Sequence, residues 1–175
     1  SSARNPFVWV TKGFLAEEFR EKLGNRIYGC DTCQTVCPVN KGKDFHFHLE
    51  MEPDPEIAKP LLKPLLRMGN REFKEKFGHV SGSWRGKKPI QRNAIIALAH
   101  YRDETAIPEL ISVMKEDPRP VLRGTAAWAI GKISAPESLS ALNEAAESEK
   151  DEEVLKEIGK GLGFLEQSKK ANMNI

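Results

Sequence analysis

Cys30, Cys33 and Cys37 are the only cysteines in this 175-residue chain, and Pro38 follows the last of them. The pattern is C-x2-C-x3-C-P. It matches the back half of the run C-x2-C-x2-C-x3-C-P, whose thiolates hold [4Fe–4S] clusters. A tight turn followed by one helical turn lets two thiolates reach two irons of one cube. The cysteine before the proline serves the other cube in two-cluster ferredoxins. The run's first cysteine falls at position 27, where Ile27 stands. Three thiolates do not close a four-iron site, so further ligands come from elsewhere or the chain is a fragment. Zinc is the rival reading, with His46 or His48 completing a Cys3His set. A disulfide framework fits poorly, because the count is odd and the N-terminus does not resemble a signal peptide.

A second candidate chemistry lies further along. From Lys76 to Arg102 there is no Asp or Glu, yet the window carries Lys76, Arg85, Lys87, Lys88, Arg92 and Arg102. By contrast, residues 103–175 carry 14 acids against 9 bases. The stretch Ser81-Gly82-Ser83-Trp84-Arg85-Gly86-Lys87-Lys88 has the parts of a phosphate grip. Its glycines free the backbone, and its hydroxyls and cations donate hydrogen bonds to phosphate oxygens. Trp84 offers a face on which a base can stack. The bland alternative is a solvated loop whose Trp packs on a neighbour.

These residues need a scaffold, and the second half of the chain supplies a periodic one. Ile90, Leu122 and Val154 lie 32 apart, as do Ala94, Ala126 and Ile158, and Leu98, Ile130 and Leu162. Ala97, Ala129 and Gly161 follow the same spacing, as do Tyr101, Ile133 and Leu165. Within each unit these positions share one helical face. Ile107 and Leu110 answer to Leu139 and Leu142 in a second helix. Asp117-Pro118-Arg119-Pro120 reads as a joint, and Pro108 and Pro136 fit first turns. This is the signature of a HEAT-type α-solenoid with units at 89–115, 121–147 and 153–170. Arg92, Arg123 and Lys156 fall early in successive first helices, where a basic stripe along one edge competes with simple solvation or pairing with nearby acids.

Upstream, Leu15 to Leu23 places apolar residues at helical spacing, and Gly24-Asn25 stops that helix. Asp31 is expected to cap a short helix carrying Cys33 and Cys37. Residues 55–77 are expected to be helical, with Pro55, Pro60 and Pro64 making the first half irregular. Charged residues make up 30% of the chain, and no run of 18 apolar residues exists to span a membrane. Cysteines kept reduced for metal fit the cytoplasm.

The stretch Gly24-Asn25-Arg26-Ile27-Tyr28-Gly29-Cys30-Asp31-Thr32-Cys33-Gln34-Thr35-Val36-Cys37-Pro38-Val39-Asn40 closely resembles the second cysteine motif of epoxyqueuosine reductases. The Arg92-Asn93-Ala94 helix and the HEAT-like repeats follow it in the same order. The resemblance implies a cobalamin-dependent enzyme with two [4Fe–4S] clusters that reduces epoxyqueuosine to queuosine in tRNA. It implies that Cys30 and Cys33 bind one cluster and Cys37 the other. It also implies that the solenoid and basic loop hold the tRNA anticodon arm. The expected contacts are Ser83, Trp84, Arg85, Lys87, Lys88, Gln91, Arg92, Asn93 and Arg123. On this reading the chain is a mainly α C-terminal half and a monomer served by a separate electron donor. Its parts are an atypical and foreign-looking leader (1–10), the end of a ferredoxin-like domain (11–52), a helical linker and basic loop (53–88), repeats (89–170) and a tail (171–175). The cobalamin domain and the first cysteine motif are absent. The alternative is a non-enzymatic HEAT adaptor with a zinc knob.

Overall fold

The computed structural model describes residues 11–43, 52, 54–81 and 83–173. The leader at 1–10, together with His46 and His48, lies outside them. Among the described residues there is no strand. Two short helices come first: α1, Glu17–Leu23, and α2, Thr32–Thr35. Next come α3, Pro55–Ala58, α4, Leu62–Arg67, and α5, Asn70–Phe77. The prolines thus split the 55–77 stretch. Pro55 opens α3, where its missing N–H costs nothing, and Pro60 falls between α3 and α4.

The repeats follow as α6, Lys87–Tyr101, α7, Ile107–Glu116, α8, Pro120–Ile133, α9, Ser138–Ser148, and α10, Glu152–Met173. Helix α8 packs against both α6 and α10, and α7 packs against α9, giving the two layers of a HEAT array. Leu122, Ala126, Ala129, Ile130, Val154 and Ile158 are all buried, as the 32-residue phase requires. The period extends to the backbone. Arg102 and Ser134, also 32 apart, end α6 and α8 in the left-handed region at φ 50° and 62°.

Two positions depart from the expected core. Tyr101 is 59% exposed and accepts a hydrogen bond from Asn25 Nδ2 at its hydroxyl. Leu139 is 38% exposed, while neighbouring Ser138 is buried and donates its hydroxyl to the Ile130 carbonyl. A polar side chain turned onto a helix end takes the inner position there.

Glycine sets the spacing of α8 and α10. A Cβ on Gly131 would meet the Cα and carbonyl of Gly161 well inside van der Waals distance. A Cβ on Gly124 would lie 2.6 Å from the Phe14 ring. That ring belongs to the segment preceding α1, which meets α8 at Gly124 and α6 at Arg92. This segment, together with α4 against α6 and α10 against α8, buries α6 continuously from Pro89 to Ala99 and α8 from Gly124 to Gly131. No helix among the described residues is long and apolar enough to cross a membrane.

Candidate metal centre and nucleic-acid interface

Gly24, at φ 58°, ends α1 as expected, and Gly29, at φ 72°, turns the chain into the cysteine loop. Cys30 and Cys37 are half-buried, Cys33 is exposed, and all three are free thiols. Asp31 precedes α2, but its side chain makes no capping hydrogen bond. Its backbone carbonyl instead accepts from the Thr35 amide and hydroxyl. The expected side-chain cap is therefore corrected.

Thr32 takes over the local chemistry. Its hydroxyl lies 3.0 Å from Cys30 Sγ, and Arg26 Nη2 reaches that hydroxyl at 3.4 Å. The Thr32 hydroxyl and amide, with the Arg26 charge, hold the Cys30 thiol below its ordinary pKa and favour thiolate. Soft, accessible thiolates on a turn suit iron–sulfur ligation. Among the described residues, no three Cys, His, Asp or Glu side chains converge on one point.

The basic loop is a short 3-10 turn, Ser83–Arg85, followed by Gly86 at φ 80° and the start of α6. Trp84 is 71% exposed, and the Arg85 guanidinium covers one of its faces with Cζ 4.0 Å from the ring centre. Lys88 has no hydrogen bond or ion pair among the described residues. No side chain caps the first turn of α6, so its N–H groups reinforce positive potential there. Lys87 is partly committed, since its ammonium donates to the Met68 carbonyl at 3.0 Å and burial lowers its pKa. The Ser83 hydroxyl donates to the Gly78 carbonyl.

Four expected RNA contacts are placed otherwise. Gln91, Arg92 and Asn93 are buried inside the protein. Gln91 donates to the Leu65 and Leu66 carbonyls. Arg92 donates to the Thr11 and Gly13 carbonyls, and burial brings its pKa down to about 10. Asn93 donates to the Ile27 carbonyl. Arg123 forms a two-pronged pair with Glu149 at 2.7 and 3.0 Å. Lys156 pairs with Glu153. The basic stripe of Arg92, Arg123 and Lys156 therefore does not exist as a free surface: one member is internal and two are neutralised by acids.

Sequence reasoning missed Arg20. It is buried in α1, pairs with Glu157 of α10, and lies over the Trp128 ring of α8 at 4.9 Å. A charge beside Phe19, between Leu15 and Leu23 on one helical face, was the available signal.

Comparison with known proteins places this geometry. A family model described as 4Fe-4S double cluster binding domain matches residues 7–40, and one described as HEAT repeats matches 86–163. Epoxyqueuosine reductase of Bacillus subtilis is 72% identical over 162 residues, covering 93% of this chain and 42% of that protein. An uncharacterized protein in the gldA 3' region of Geobacillus stearothermophilus is 70% identical over 91% of this chain and 74% of its own length. A crystal structure of epoxyqueuosine reductase with an epoxyqueuosine-modified tRNA-Tyr stem loop matches with a TM-score of 0.88 at 71% identity, covering 92% of this chain and 43% of that one. The enzyme from Streptococcus thermophilus matches at 0.82 and 40% identity. The chain thus spans about two fifths of the epoxyqueuosine reductases it matches. With its cysteine loop, its paired-helix repeats and this identity, the chain belongs to the epoxyqueuosine reductase family.

Proposed function

We propose that this chain is the C-terminal part of an enzyme that reduces epoxyqueuosine to queuosine in tRNA. The carrying observation is the match, at a TM-score of 0.88, to an epoxyqueuosine reductase structure that holds a modified tRNA stem loop. Cys30 and Cys33 would hold one [4Fe–4S] cluster and Cys37 a second, with the remaining ligands supplied upstream. Such clusters supply one-electron transfer. We assign cobalamin binding to the part of the relatives that this chain does not span. The protein works in the cytoplasm as a monomer and draws electrons from a separate donor.

In this reading the tRNA contact narrows to the start of α6. Lys88 and Arg85 meet phosphates, Trp84 offers its uncovered face to a base or ribose, and Ser83 and Lys87 flank them. Gln91, Arg92 and Asn93 hold the scaffold in place rather than touch RNA.

The test is binding of an anticodon stem loop across a salt series. Each lost phosphate contact flattens the slope of log affinity against log salt by about 0.7 to 0.9. Lys88→Ala should do so, and Arg123→Ala should leave the slope unchanged. Equal slopes for Lys88→Ala and the parent would remove the RNA role of this loop. Iron and sulfide analysis tests the cysteines. A colourless protein with stoichiometric zinc would instead favour the adaptor.

A further inference from the structure

Helix α6 grips the cysteine loop from inside the repeat array. Asn93 Nδ2 donates to the Ile27 carbonyl at 2.7 Å, three residues before Cys30. The amide is held in that sense by Arg92, whose Nε and Nη2 donate to Asn93 Oδ1 at 3.1 and 2.8 Å. A flipped amide would set two donors against each other. The same guanidinium reaches the Thr11 and Gly13 carbonyls through Nη1 at 2.7 and 2.8 Å. Two adjacent buried side chains therefore tie three points of the upstream chain to the first repeat. Hydrogen bonds in such a dry site are strong, and losing one leaves a buried group unpaired. Ile27 adjoins Arg26, which reaches the Thr32 hydroxyl beside Cys30. Fixing the Ile27 carbonyl thus fixes the entry to the cysteine turn.

We infer that Asn93, oriented by Arg92, is a positioning residue that sets the cysteine turn at Cys30 from within the repeat array. The hydrogen bonds carry this inference. Only its consequence for a cluster rests on the function proposed above.

Two variants separate positioning from general stability. Asn93→Asp keeps an acceptor for Arg92 but turns a carboxylate toward the Ile27 carbonyl. Asn93→Ser removes the link without adding charge. Amide hydrogen exchange of the metal-free chain should rise at least tenfold at Arg26, whose N–H donates to the Leu23 carbonyl next to the Asn93 link, in whichever variant stays folded. Helices α8 and α9 should exchange as in the parent. Parent-like exchange at Arg26 in either folded variant overturns the inference. Loss of protection throughout α8 in both variants also overturns it, because Asn93 would then be a general core residue. In the full-length protein carrying this segment, Asn93→Asp should speed iron loss to a chelator at least threefold while stem-loop affinity stays unchanged. Unchanged iron loss would overturn the positioning role. An iron-free parent would count against the cluster reading alone and leave the exchange result to decide positioning.

Discussion

Arg123 and Glu149 show how one pair answers to pH. The Arg123 guanidinium, with the Asp151 and Lys150 amides, holds the Glu149 carboxyl down at about 2 against an ordinary 4.5. A folded-state value below the unfolded one gives stability that is complete above the ordinary range and is lost as pH falls toward about 2. Glu149→Gln should therefore cost about 1 to 3 kcal/mol at pH 7, the range for charge-assisted hydrogen bonds. The gap between variant and parent should shrink between pH 4.5 and 3, as read by urea melts. A constant gap would point to packing instead. At the cysteines, this chain alone should take up iron only substoichiometrically on anaerobic reconstitution, because three thiolates leave two cubes short of ligands. Full four-iron loading would sink that expectation. The cysteines were readable in the sequence because their spacing is itself the chemistry. Gln91, Arg92 and Asn93 were not. A polar residue reads the same whether it faces water or a buried carbonyl, and the carbonyls that bury these three lie 25, 81 and 66 residues away in the chain.

Among the helices, the repeat was readable because apolar positions recurring every 32 residues fix both phase and partner. The left-handed ends at Arg102 and Ser134 were not, since neither is glycine or asparagine. A side chain in that region costs about 1 kcal/mol. Ser134→Gly should thus stabilise the protein by about that amount in thermal or urea melts, and a loss of stability would show that the serine side chain is needed there. The glycines of α8 and α10 behave oppositely. Gly131→Ala forces a methyl into the Gly161 backbone and should cost about 1 to 3 kcal/mol. Gly163→Ala meets nothing within 4 Å and should stabilise α10 by about 0.5 to 1 kcal/mol. Similar melts for the two alanine variants would mean that α8 and α10 do not touch through Gly131.

Across the molecule, the segment from Thr11 to Leu23 makes the repeats something other than a simple stack. Arg20 joins Glu157, and Lys132 lies 3.6 Å from both Glu17 and Glu21 and 4.1 Å from the Phe164 ring centre. In a plain array each repeat touches only its neighbours, and ends open independently. Here Glu157→Ala in α10 should expose α1 at the opposite end of the chain. The cost should be about 3 to 5 kcal/mol, because it strands a buried guanidinium. Hydrogen exchange that rises in α10 but not in α1 would refute that coupling. The same contact sets an order of events during synthesis. Arg20 leaves the ribosome 137 residues before its partner, an interval of about 7 to 30 s at ordinary elongation rates. Until α10 emerges, α1 has no complete dock, whereas the cysteine loop can already be held once Asn93 of α6 reaches the Ile27 carbonyl. Helix α1 is thus made well before the helix that completes its dock, so the time its Arg20 spends without its buried partner depends on how quickly the ribosome reaches Glu157.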